Sequence, residues 1–107
     1  MTLRVVLAED AEDDLVDLHT WIAARESLER ADTFLDRIER ALATLGKLAA
    51  RGHVTPELAR VGITDVREIH VGSYRLLYQV EGPIVLVLAV LDGRRDLQDV
   101  LAQRLLR

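Results

Sequence analysis

Four polar side chains, Glu68, His70, Arg75 and Gln79, are the residues whose types and spacing point to chemistry. They flank Gly72-Ser73, a two-residue loop with glycine at its first central position, as a II′ hairpin turn requires. That turn sets Val71 opposite Tyr74, His70 opposite Arg75, Ile69 opposite Leu76, Glu68 opposite Leu77 and Arg67 opposite Tyr78. Directly opposed residues share a face. One face therefore carries Val71, Tyr74, Ile69, Leu76 and Tyr78 as core material. The other gathers His70, Glu68 and Gln79 around a single arginine. A guanidinium is always charged and presents a planar fork of donors, so this cluster suits bidentate or stacked recognition of a partner. The plainer role for Arg75 is a cross-strand salt bridge to Glu68, within diagonal reach on the same face.

Three further groups are candidates. Glu57 follows Pro56 in a stretch without periodicity, where an exposed carboxylate or a local cap is the simple alternative to a functional acid or base. Arg94 and Arg95 end the last strand, either as contacts to a partner or as solvated charges near the final helix. His19, His53 and His70 fall on a helix, a loop and a strand with no ligand spacing among them, so no metal site is expected. There is no cysteine, which excludes disulfides and cysteine-based zinc sites. No glycine-rich phosphate loop occurs, and no cofactor is expected.

The length of 107 residues, without a Pro/Gly/Ser-rich linker, predicts one domain spanning 1–107. Half the residues are hydrophobic and 30% are charged, which fits a fold with a real core. The net charge of −4 divides unevenly. Residues 1–50 carry six basic against eleven acidic side chains (−5), and residues 51–107 carry eight arginines against seven acids (+1). A broad basic footprint for nucleic acid is absent, while a local arginine site in the second half is compatible. The first residues lack a signal-peptide core, and the longest apolar run, Ile84 to Leu91, is too short to span a bilayer. A cytoplasmic protein without membrane contact is expected.

The elements that must position these groups follow from periodicity. Thr2 to Leu7 reads as a strand. Ala11, Leu15, Leu18 and Ile22 recur at helical spacing, predicting a helix from Ala11 to about Arg25 with Asp10 as cap. Ser27 caps a second helix, whose apolar face runs from Leu28 to Leu45, with Gly46 or Gly52 ending it. Two helices joined so closely form an antiparallel hairpin. Arg51 to Asp65 reads as a loop, punctuated by Gly52, Pro56 and Gly62. Strands follow at Val66–Val71, Tyr74–Val80 and Ile84–Leu91, then a helix from Asp96 to Leu106 in which Leu97, Val100, Leu101 and Leu105 share a face. The order βααβββα defines an α+β domain: an N-terminal helical hairpin packed on a small, mostly antiparallel sheet, with a C-terminal helix.

Ile84 to Leu91 is apolar throughout, so both faces are covered and the strand is central. Ile84, Leu86, Leu88 and Val90 point opposite to Val85, Val87, Ala89 and Leu91 if alternation is strict. The helical hairpin covers one set. The other needs the C-terminal helix, a second subunit or a partner segment. A partner docking there would use the sheet face of His70, Arg75 and Leu77.

The AEDDL start of the first helix (Ala11 to Leu15), VTPEL (Val54 to Leu58), VREIHVGSYRLLYQV (Val66 to Val80) and VLAVLDGRRDL (Val87 to Leu97) resemble the RelE/ParE superfamily across nearly the whole chain. These are toxins of type II toxin–antitoxin pairs, also known as plasmid-stabilisation proteins. The resemblance implies neutralisation by an antitoxin whose extended C-terminal segment wraps the toxin in a hetero-oligomer. It also implies one of two modes: metal-free mRNA cleavage in the ribosomal A site by RelE-like members, or poisoning of DNA gyrase by ParE-like members. In the ribonuclease branch Arg75 matches the strand arginine that contacts the scissile phosphate, and Glu57 matches a general-base glutamate. Arg94 or Arg95 would complete the catalytic candidates. A metal-free cleavage also needs an acid for the leaving oxygen. That branch places a histidine or tyrosine near the end of the last strand, and none occurs from Asp92 to Arg107. Its lysine pair is missing too, since Lys47 is the only lysine.

The expectation is therefore a ParE-like toxin that acts by binding a protein target, DNA gyrase by resemblance, rather than an enzyme. His70, Arg75, Leu77, Gln79, Arg94 and Arg95 are the residues expected to contact antitoxin or target. The alternatives are a ribosome-dependent endoribonuclease acting on mRNA, and a degenerate toxin retained as an antitoxin-binding partner.

Overall fold

The computed structural model describes residues 2–106. Its elements run β1 (Arg4–Leu7), α1 (Glu9–Arg25), α2 (Leu28–Leu45), a 3-10 turn (Ala49–Arg51), β2 (His53–Val54), α3 (Pro56–Ala59), β3 (Arg67–Val71), β4 (Tyr74–Glu81), β5 (Ile84–Asp92) and α4 (Leu97–Leu105). The five strands form one sheet in the order β1-β5-β4-β3-β2. β1 runs parallel to β5, and the other pairings are antiparallel. The architecture is α+β with the expected order of major elements, and β5 lies inside the sheet between β1 and β4.

Local chemistry explains most boundaries. The Ser27 hydroxyl accepts a hydrogen bond from the Arg30 N–H at 3.1 Å, starting α2. The Asp96 carboxylate accepts from the Gln98 N–H at 2.8 Å, starting α4. Gly46 ends α2 where its carbonyl accepts from the Leu3 N–H at 2.7 Å, so the helix stops against the first strand. The start of α1 differs from expectation. Ala8, not Asp10, is the N-cap, and no side chain caps the helix. The Ala8 N–H is held by the Val87 carbonyl at 2.9 Å, which turns the chain straight from β1 into the helix. Glu9, Asp10 and Glu12 lie in the first turn, where negative charge complements the helix dipole.

The β3–β4 hairpin has the predicted register at all five pairs, from Arg67↔Tyr78 to Val71↔Tyr74. Gly72 has φ +61° and no non-glycine residue among the described residues has positive φ, so only the first position of this turn needs glycine. The segment Arg51 to Asp65 departs from a plain loop. It adds a two-residue strand, β2, at the sheet edge and a single helical turn, α3, started by Pro56. A two-residue strand has too few positions to show a period, so pattern gave no sign of it.

β5 also departs from strict alternation. Its pairing passes from Leu77↔Ala89 to Tyr78↔Val87, which leaves Leu88 without a partner on β4. This bulge flips the facing of every residue beyond it. Val85, Val87 and Val90 pack with Ile22, Phe34 and Ile38 of the helical hairpin, while Ala89 and Leu91 lie on the opposite face. There α4 covers them: Leu97 and Val100 pack against Leu77, Ala89 and Leu91, joined by Val66. The side chain of Leu105, counted in the apolar face of this helix, lies outside the described residues. The second sheet face is therefore closed by the chain's own C-terminal helix around Leu77, which is buried. Asp14 fastens this arrangement, accepting from the Val90 N–H at 2.9 Å and from Arg104 of α4. No helix among the described residues is long and apolar enough to cross a membrane.

Candidate functional site

The polar face of the hairpin holds a closed cluster of charge. Arg75 Nη1 donates to Glu57 Oε2 at 2.7 Å and Nη2 to Glu57 Oε1 at 2.8 Å. Its Nε donates to Glu68 Oε2 at 3.1 Å, and Nη2 also donates to Glu68 Oε1 at 2.7 Å. One guanidinium is thus held bidentately by two carboxylates, the strong geometry for an arginine pair. Glu68 is 2% exposed, Arg75 12% and Glu57 25%. The expected Arg75–Glu68 bridge is present, and Glu57 joins it because α3 follows directly on β2 and turns its first residues over the hairpin.

Two histidines border Glu68. β2 pairs with β3 so that His53 lies opposite Glu68, and His70 follows Glu68 by two residues on the same strand. Pairing and alternation bring both imidazoles to the Glu68 side of the sheet. His70 Nε2 is 2.8 Å and His53 Nε2 3.7 Å from Glu68 Oε2. The two rings meet edge-on with centroids 5.5 Å apart. The cluster forms the wall of an open cleft of about 590 Å³, whose lining also includes Arg60.

The ion pairs keep Glu57, Glu68 and Arg75 in their charged forms. Hydrogen bonds from Arg75 hold the Glu57 carboxyl below the usual carboxylate range. Burial pushes Glu68 upward, but hydrogen bonds from Arg75 and His70 outweigh it, leaving Glu68 below that range as well. The same bonds from Glu57 and then Glu68 push the Arg75 guanidinium further up. A carboxylate held this way is a poor proton acceptor at neutral pH, and a guanidinium paired on both edges is a poor phosphate ligand. The cluster is built to stay charged and closed.

The remaining predicted residues lie elsewhere. Arg94 pairs with Asp92 at 3.0 Å and Arg95 donates to Gln103 at 3.4 Å. Both border a second groove with Asp14, Asp17 and Trp21, not the Arg75 cleft. Gln79 donates to Glu81 and does not line the cleft. Leu77 lies beneath α4 rather than on an open face. The fold therefore unites Glu57, His70 and Arg75 and leaves Leu77, Gln79, Arg94 and Arg95 apart. Sequence reasoning missed His53 and Arg60 at this site, and it treated Glu68 only as a salt-bridge partner. His53-Val54 before Thr55-Pro56 carries no strand signature.

The comparisons with known proteins agree with this architecture. The solved structure of the chromosomal ParDE system from P. aeruginosa superposes with a TM-score of 0.71, at 16% identity, over 85% of this chain and 96% of that one. The RelBE2 toxin–antitoxin complex from Mycobacterium tuberculosis superposes with a TM-score of 0.60, at 23% identity, over 86% of this chain and 99% of that one. At these identities the likeness shows the class of fold alone, one shared with chains of these two toxin–antitoxin systems. No curated protein matches the chain in sequence. Residues 5–97 match the family described as the ParE toxin of the type II toxin–antitoxin system parDE, and the chain belongs to that family.

Proposed function

We propose that this chain is a one-domain toxin neutralised by a cognate antitoxin in a cytoplasmic hetero-oligomer, and that it acts by binding a protein target. DNA gyrase is the target that resemblance to ParE favours. The observation that carries this reading is the closure of Arg75 between Glu57 and Glu68. The residues that a metal-free ribonuclease would use as cation and base are bound to each other. Arg94 and Arg95, the other candidate cations, border a different groove. The net charge of −4 also speaks against a ribosomal RNA ligand.

Expression of the chain without its antitoxin tests the proposal through two readouts in the same culture. Gyrase-dependent DNA breaks without codon-phased mRNA cuts are expected. Rapid codon-phased cuts within ribosomes overturn it in favour of an endoribonuclease. The absence of both signals overturns it in favour of a degenerate toxin that only binds antitoxin.

A further inference from the structure

His53, Glu68 and His70 converge in a way the ion-pair cluster does not require. Each offers one ligand atom, and the three atoms lie within 4.8 Å of one another. The carboxylate oxygen Glu68 Oε2 is the common point, 2.8 Å from His70 Nε2 and 3.7 Å from His53 Nε2. Around a tetrahedral zinc ion with bonds of about 2.0–2.1 Å, neighbouring ligand atoms sit roughly 3.3 Å apart. The two separations from Glu68 Oε2 bracket that spacing and the two imidazole nitrogens lie within 4.8 Å of each other, so rotation of the two exposed imidazoles toward one another would complete a ligand set. His53 is 60% and His70 58% exposed, which gives an ion access and leaves the fourth position to water.

We propose that His53 Nε2, His70 Nε2 and Glu68 Oε2 form a binding site for a divalent first-row transition ion of the zinc type. Two imidazoles and one carboxylate favour such an ion over calcium or magnesium, which prefer oxygen-rich shells. Arg75 does not preclude it. Its Nε and Nη2 hold the Glu68 carboxylate in place, as outer hydrogen bonds do for ligating carboxylates. Its positive charge is opposed by the second carboxylate, Glu57, so the Glu57–Arg75–Glu68 group carries one net negative charge. The ion would replace the hydrogen bond between His70 and Glu68. It would also tie β2 to β3, which pair through His53↔Glu68 and Val54↔Arg67. The site does not depend on gyrase or any other target, and its test does not read toxicity.

The test uses the full chain without a histidine tag, stripped of metal and titrated with Zn²⁺ and with Co²⁺ as the spectroscopic probe. Saturable 1:1 binding is expected, with visible Co²⁺ bands of tetrahedral type and a melting temperature that rises with zinc concentration. His53→Ala should weaken binding and His70→Ala should abolish the 1:1 signal. His19→Ala should change neither, because His19 pairs with Asp32 on the helical hairpin. Both ligand histidines are exposed, so these variants keep the fold, which far-UV circular dichroism verifies. Absence of saturable binding at millimolar metal overturns the site. So does binding that survives in both His53→Ala and His70→Ala.

Discussion

Glu57 and Arg75, eighteen residues apart in sequence, meet in a bidentate ion pair at 2.7 and 2.8 Å. The pair exists because β2 and α3 fold the connecting segment back over the polar face of the hairpin. Glu68 closes the other side of the guanidinium. Removing different members of this group should therefore have unequal effects.

Arg75→Ala leaves Glu68 buried with only histidines as partners. A broken buried pair costs about 3–5 kcal/mol, and the remaining His70 contact puts the loss near the lower end. Glu57→Gln keeps Glu68 on the guanidinium and should cost roughly 1 kcal/mol. Urea unfolding of the two variants measures the difference. Equal losses would show that Glu57, not Glu68, anchors the arginine.

Acid should weaken the fold through the same carboxylates. Glu57 and Glu68 titrate below their ordinary value of 4.5 in the folded state. A depressed folded value means stabilisation that is present above the unfolded value and is lost as pH falls through the folded one. Asp14 has the opposite sign. Burial raises its carboxyl above 3.8 despite Arg104, so its contribution is present at low pH and lost as pH rises through the folded value. The urea midpoint should fall between about pH 5 and pH 3, and fall more steeply in Asp14→Asn. A flat midpoint in Asp14→Asn contradicts the sign for the two glutamates, and equal slopes in Asp14→Asn and the unsubstituted chain contradict the sign for Asp14.

The 3-10 turn before β2 is held by the Tyr78 hydroxyl. Its hydroxyl donates to the Ala49 carbonyl at 2.6 Å and accepts from the Gly52 N–H at 3.0 Å. Tyr78→Phe leaves both backbone groups without that partner and should cost about 1–3 kcal/mol. Gly52→Ala forces a methyl group against the Tyr78 hydroxyl and the Glu68 carbonyl, with a similar cost of about 1–3 kcal/mol. Thermal unfolding measures both. Hydrogen exchange should show faster opening at His53 and Val54 than in the rest of the sheet.

The sequence by itself determined the hairpin, its register, its two faces and the apolar strand beside it. A glycine at the first turn position and alternating side chains are local instructions, readable within a dozen residues. It also determined the helical hairpin, because the Ser27 cap and a 3.6-residue period are local too, although the start of α1 at Ala8 was not marked by a capping side chain. Only the tertiary structure decided three further things. The bulge at Leu88 redistributed an all-apolar strand, in which no polar residue marks a face. The C-terminal helix, rather than a partner, covered Leu77. β2 and α3, each too short to carry a period, brought His53 and Glu57 to Glu68 and Arg75. Those pairings depend on contacts across the sheet, and the energy that selects them is spread over residues far apart in the chain.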